Sequence, residues 1–168
     1  MATTTIGGHV ARALDFFDNN DVYFAIGKSD PWVDEDYPPA PSINDSDVTG
    51  VIGLKKIESK HMVVPDEEGD IVYRDSRWRI VPYDQAVVEN ARWVYISCSL
   101  LYDELPLVDY RQVGVYSRVV KNEGILPGKF NLLPSEVADL GILEIIDNRK
   151  KTSRNLDQKE TLSIVLEF

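Results

Sequence analysis

Between Val22 and Phe168 the apolar residues come in short β-branched and aromatic runs, cut by proline, glycine and acidic turns. Strands and helices do not alternate along the chain, which argues against a parallel sheet with crossover helices and for antiparallel pairing. ARWVYISCSLLY (residues 91–102) is the strongest strand signal, and YRQVGVYSRVV (110–120) the next. In the second, Tyr110, Gln112, Gly114, Tyr116 and Arg118 alternate with Arg111, Val113, Val115, Ser117 and Val119, so each set takes one face. VYFAI (22–26), HMVVP (61–65), GILEIID (141–147) and ETLSIVLEF (160–168) read as further strands, and IVYRDSRWRIVPY (71–83) as one or two more. VTGVIGLKKIE (48–58) suits either a strand or a short helix. The basic, polar NRKKTSRNLDQK (148–159) reads as a loop. LPGKFNLLPSEVADLG (126–141) reads as loop with one helical turn capped by Ser135. Only HVARALDFF (9–17) has a helical period, with Val10, Leu14 and Phe17 on one face, Gly7-Gly8 ahead and a polar stop at Asp18 to Asp21. The expected fold is mainly β (α+β): an antiparallel β-sandwich-like core with one short N-terminal helix and long loops, in a single domain over 1–168.

The texture changes at residues 29–47. Four prolines, Pro31, Pro38, Pro39 and Pro41, remove backbone donors and push their predecessors out of helical conformation. Acidic residues fill much of the rest. The expectation is an extended loop pinned to a surface by Trp32, Val33, Tyr37 and Ile43. Trp32, Tyr37, Pro38 and Pro39 are candidates for a protein interface, since rigid aromatic anchors on a preordered segment lose little entropy on binding. Arg149, Lys150 and Lys151 are candidates for meeting an acidic neighbour.

Gly27-Lys28-Ser29 ends the first strand and matches the last three positions of a phosphate-binding loop. That loop needs a glycine five residues before its final glycine and a helix after its serine, whose N-terminal amides hold the phosphates. Val22 occupies the first position and Asp30-Pro31 replaces the helix. The expectation is therefore a strand exit, with Gly27 supplying the sharp turn and no nucleotide bound.

Other chemistry finds no constellation. His9 and His61 are far apart, no Cys or His pair has metal-ligand spacing, and the acidic turns at 34–36 and 66–70 do not match a calcium loop. No Gly-x-Ser-x-Gly is present, and the single Cys98 lies within an apolar strand. The expectation is a protein without catalytic residues, metal or cofactor. A net charge of −10 opposes binding to nucleic acid or anionic membranes, and no apolar run is long enough to span a bilayer. MATTTIGGHVARAL lacks the charged and apolar regions of a secretion signal.

YFAIGKSDPW followed by DEDYPPAP resembles the N-terminal signature of the baseplate wedge protein of T-even-like contractile-tailed phages, the product of gene 8. Two further segments resemble that family in the same order. One is ARWVYISCSLLYDELPLVDYRQVGVYSRVV, similar to its paired strands. The other is GILEIIDNRKKTSRNLDQKETLSIVLEF, similar to its C-terminal end. The T-even protein is longer and carries an inserted domain, so this chain resembles a shortened version. The resemblance implies a non-enzymatic virion subunit of the tail baseplate, a homodimer that contacts other wedge proteins. Rival readings are a neck or tail-completion protein and, from another class, a small glycan-binding β-domain.

Overall fold

The structure is a computed structural model describing residues 1–168. One helix, α1 (Ile6–Asp18), is followed by β1 (Tyr23–Gly27), β2 (Gly53–Lys56), β3 (Ser59–Pro65), β4 (Ile71–Tyr73), β5 (Ser76–Val81), β6 (Trp93–Leu100), β7 (Tyr110–Ser117), β8 (Val120–Lys121), β9 (Asn131–Leu132), β10 (Val137–Asp139), β11 (Ile142–Thr152) and β12 (Glu160–Glu167). The strands form two five-stranded sheets, ordered β11-β7-β1-β2-β9 and β12-β6-β3-β5-β4, and a small β10-β8 ribbon. The recorded pairs are antiparallel. The fold is thus mainly β with one helix, as expected. Contacts divide the chain into two compact units, residues 1–20, 58–97 and 163–168, and residues 21–57 and 98–162.

In the first unit α1 starts one turn earlier than the sequence suggests. Thr5 caps it, its hydroxyl accepting from the Gly8 amide at 3.3 Å, so Gly7 and Gly8 lie inside the first turn. The buried face is Val10, Ala13 and Phe16 rather than Val10, Leu14 and Phe17. Phe16 takes the inner place because it packs on the Phe168 ring at 5.1 Å, while Phe17 meets Tyr83 at 5.6 Å. Lys60 ties the helix end to β3, its ammonium donating to the Asn19 carbonyl at 2.7 Å. Met62 and Val64, on the same face of β3 as Lys60, are buried.

In the second unit β1 and β7 are buried along their whole length, which explains a strand that is apolar without alternation. Their central register pairs Ala25 with Gly114 and Tyr23 with Tyr116. One core cluster builds on this face from Tyr23, Ala25, Val48, Leu54, Tyr116, Val119 and Leu132.

Three expectations about connectivity are corrected. The two strongest strands, β6 and β7, belong to different sheets and do not pair. The residues between them are held by Arg154, which donates to the carbonyls of Leu101 (2.7 Å), Leu105 (2.8 Å) and Pro106 (3.0 Å). The basic segment is not a loop: β11 runs on through Arg149, Lys150 and Lys151 to Thr152, because β7 offers it a ladder as far as Tyr110. The helical turn near Ser135 is a 3-10 turn from Pro134 to Glu136. The Glu136 carboxylate accepts from the Leu133 amide at 2.9 Å, so Ser135 is not the cap.

Candidate functional site

The two groups of residues singled out in the sequence, more than a hundred positions apart, form one site on the second unit. Residues 28–52 contain no helix or strand and pass round β11, the edge strand of its sheet. The path follows from strand alternation. Arg111 and Gln112 are neighbours on β7 and so point to opposite faces. On the Arg111 face, the guanidinium grips both carboxylate oxygens of Glu35 at 2.5–2.9 Å and donates to the Ser29 carbonyl. At the edge, the Trp32 indole N–H donates to the Arg149 carbonyl at 2.8 Å and Lys150 pairs with Asp36 at 3.3 Å. On the other face, Asn148 donates to the Pro39 carbonyl at 2.9 Å and accepts from Gln112 at 2.8 Å. Gln112 also accepts from the Thr49 amide at 2.8 Å. The segment is a strap drawn round the sheet edge.

The strap's C-terminal end is its apolar plug. Val48 is buried, and its amide donates to the Tyr116 hydroxyl at 2.8 Å. Its two methyl groups fill the places where side chains on Gly27 and Gly114 would be. At the N-terminal end, Lys28 carries the left-handed backbone (φ 59°), and its amide donates to the Thr49 carbonyl at 2.6 Å. The sharp turn expected at Gly27 thus falls on Lys28: Gly27 has no positive φ and is glycine because Val48 and the Thr49 carbonyl come close. The Lys28 ammonium lies 5.2 Å from the centre of the Trp32 ring and 3.4 Å from the Pro31 carbonyl.

Of the four expected anchors only Trp32 is partly inserted. Tyr37 (80% exposed), Val33 and Ile43 (both fully exposed) project into solvent. Pro38 is half-buried and Pro39 exposed. Arg149 is half-buried and pairs with Asp147 at 2.8 Å; Lys150 and Lys151 are exposed, and Lys151 lies 3.8 Å from Asp109. Sequence reasoning missed Glu35 and Arg111, the strongest fastening. The available signal was an arginine and a glutamine adjacent in an otherwise apolar strand, since buried polar groups need partners.

The Arg111 hydrogen bonds hold the Glu35 carboxyl below its ordinary value of 4.5, helped by the guanidinium charge, the Trp32 amide and Lys151. A depressed carboxyl stabilises the fold above its unfolded pKa, and that contribution is lost as pH falls through the folded value. Acidification below 4.5 is therefore expected to unfasten the strap before the sheets unfold. The Trp32 indole proton resonance, followed by pH titration, should move from its bonded to its free position in this range. In Glu35→Gln it should be free already at neutral pH.

A model of the family described as "baseplate wedge 3 tail fiber network component" matches residues 1–168. The chain is 34% identical over 176 residues to "Virion protein 3" of Enterococcus phage phiEF24C, covering 99% of this chain and 96% of that protein. Both agree with the baseplate wedge resemblance carried by YFAIGKSDPW and the two later segments. They identify a structural component of the phage virion, located at the baseplate. The chain belongs to the baseplate wedge 3 tail fiber network component family.

Proposed function

We propose that this protein is a non-enzymatic wedge subunit of a contractile phage tail baseplate, a homodimer that joins neighbouring wedge and fiber-network proteins through the strap and the basic edge of β11. The observation that carries this is the way the strap is held. It is fastened by Arg111, Trp32, Lys150 and Asn148, yet it holds Val33, Tyr37 and Ile43 out in solvent. Large apolar side chains on an ordered, acidic segment bring no stability to the isolated chain, and they are what a protein interface uses at its centre. The family description, a tail fiber network component of the baseplate, supports a role in assembly with other virion proteins.

The test is a phage carrying Val33→Ser, Tyr37→Ser and Ile43→Ser together. Exposed positions change stability by only about 0.5 kcal/mol each, so the purified chain should melt close to wild type. Incorporation of the chain into baseplates should fall sharply. Baseplates of normal composition would remove the strap from the interface. Trp32→Ala is a different experiment: it frees the Arg149 carbonyl and loosens the strap, so its effect on assembly would be indirect. Sedimentation of the purified chain checks the homodimer.

A further inference from the structure

β11 has eleven residues and ends its sheet, with β7 as its neighbour in the strand order. An edge of that length is a template for another strand, and proteins guard such edges. Here the guard is the strap, but it does not complete the sheet. Its recorded bonds to β11 run through the side chains of Trp32, Asp36 and Asn148, not through a backbone ladder. Its prolines at 31, 38, 39 and 41 disfavour one.

The guard is also built to lift. Both ends are fixed, by the left-handed Lys28 and by the Val48 plug, so the strap can leave β11 with its ends in place, at the cost of the Arg111 contacts from β7. What holds its middle is largely ionic. The Lys150–Asp36 pair is exposed (66% and 82%), whereas in the Arg111–Glu35 pair the carboxylate is 39% exposed and the arginine 4%, so release starts at Asp36 and Arg111–Glu35 is the tighter hold. Exposed ion pairs hold weakly, and segments with few apolar contacts open first.

We infer that the strap is a movable guard and that β11, once uncovered, receives an extended segment of a neighbouring protein by strand addition, apolar at one end and acidic at the other. This rests on reading the chain as an interface-forming subunit. The occupant's chemistry follows from the strand. Its first half offers Ile142 and Ile145, partly exposed, beside Leu143 and Ile146, which pack on the core cluster and keep only part of their surface open. Its second half offers Lys150, and Arg111 beside it, whose carboxylate partners leave with Asp36 and Glu35. Lys151 follows, near Asp109, while Arg149 keeps Asp147. An incoming acidic end replaces the strap's own Glu35 and Asp36 on these cations, and main-chain bonds to β11 supply the rest.

The experiment uses the full-length chain and two labelled peptides, one alternating valine and threonine and ending in three glutamates, the other ending in three lysines. Binding is measured by fluorescence polarisation for wild type, Glu35→Gln and Asp36→Asn. Asp36 is so exposed that its variant cannot fail to fold for want of that contact. The expected result is that both variants bind the glutamate peptide more tightly than wild type, Glu35→Gln about tenfold or more for loss of a bidentate charge-assisted contact, Asp36→Asn about two- to fivefold for loss of an exposed pair. The lysine peptide should not bind, and the bound state should protect β11 amides from hydrogen exchange. Absence of binding to both variants, equal binding of the two peptides, or binding without protection of β11 would each overturn the inference. None of these outcomes bears on the incorporation test of the exposed strap residues, so the two readings fail separately.

Discussion

Arg154→Ala is expected to cost about 3–5 kcal/mol, the range seen when one partner of a buried charged network is removed. Only 2% of the Arg154 side chain is exposed. Its guanidinium satisfies the carbonyls of Leu101, Leu105 and Pro106 and lies 3.4 Å from the Glu160 carboxylate. Truncation leaves those carbonyls without this donor and a buried acid without its counter-charge. Domains of this kind are stable by only about 5–15 kcal/mol, so the variant should be close to the limit of folding. Urea denaturation should show a lower midpoint at unchanged slope. Arg154→Lys should recover little, because one ammonium cannot reproduce a planar fork spread over several acceptors.

The same variant carries a pH signature. Burial raises the Glu160 carboxyl above its ordinary 4.5, although Arg154 pulls it down. For an acid raised on folding, the folded state holds the proton more tightly, so stability falls as pH rises from the unfolded value through the folded one. Removing Arg154 removes the largest lowering influence and deepens that fall. The deficit of Arg154→Ala should therefore be smaller below pH 4.5 than at neutrality. A deficit independent of pH would mean that the orphaned carbonyls, not Glu160, carry the loss.

Strand existence was legible because burial selects β-branched and aromatic residues locally, as in ARWVYISCSLLY. Pairing was not. Nothing within β6 or β7 says that the nine residues from Leu101 to Asp109 carry the chain to a different sheet. Arg149, Lys150 and Lys151 read as loop because cations have weak strand preference, yet the β7 ladder draws them into β11. The helix was visible, but its inner face depends on where the Phe168 ring lies, and helical period alone does not say. The strap illustrates the limit best. Its location and extended form follow from four prolines. Its fastenings do not, because they are side-chain contacts such as Arg111–Glu35 across 76 residues, and hydrophobicity pointed instead to Val33, Tyr37 and Ile43. The strap and the basic segment of β11 lie together on one surface, but which of their residues fasten the strap and which project into solvent is not written in either segment alone.

Val48 gives the second large effect and a way to separate two causes. In Gly114→Ala the new Cβ would overlap Val48 Cγ2 and lie 3.0 Å from Leu143 Cδ1. Gly114 has no positive φ, so the cost is steric, about 1–3 kcal/mol for overpacking a tight core. Val48→Ala removes two buried methyl groups and should cost about 2 kcal/mol including the cavity. The double variant should be less destabilised than the sum by about 1 kcal/mol or more, since the added methyl enters the space the lost one leaves. Gly27→Ala behaves differently. Its Cβ would overlap Val48 Cγ1 and also lie 2.8 Å from the Thr49 carbonyl, which is backbone held by Lys28. Val48→Ala should therefore rescue Gly114→Ala but not Gly27→Ala. Equal rescue would show that the strap's end yields freely and that its plug does not fix it. No rescue at Gly114 would show that Leu143, across the β7–β11 ladder, sets the limit there. The asymmetry between two glycines that touch one valine is what a plug seated between β1 and β7 demands.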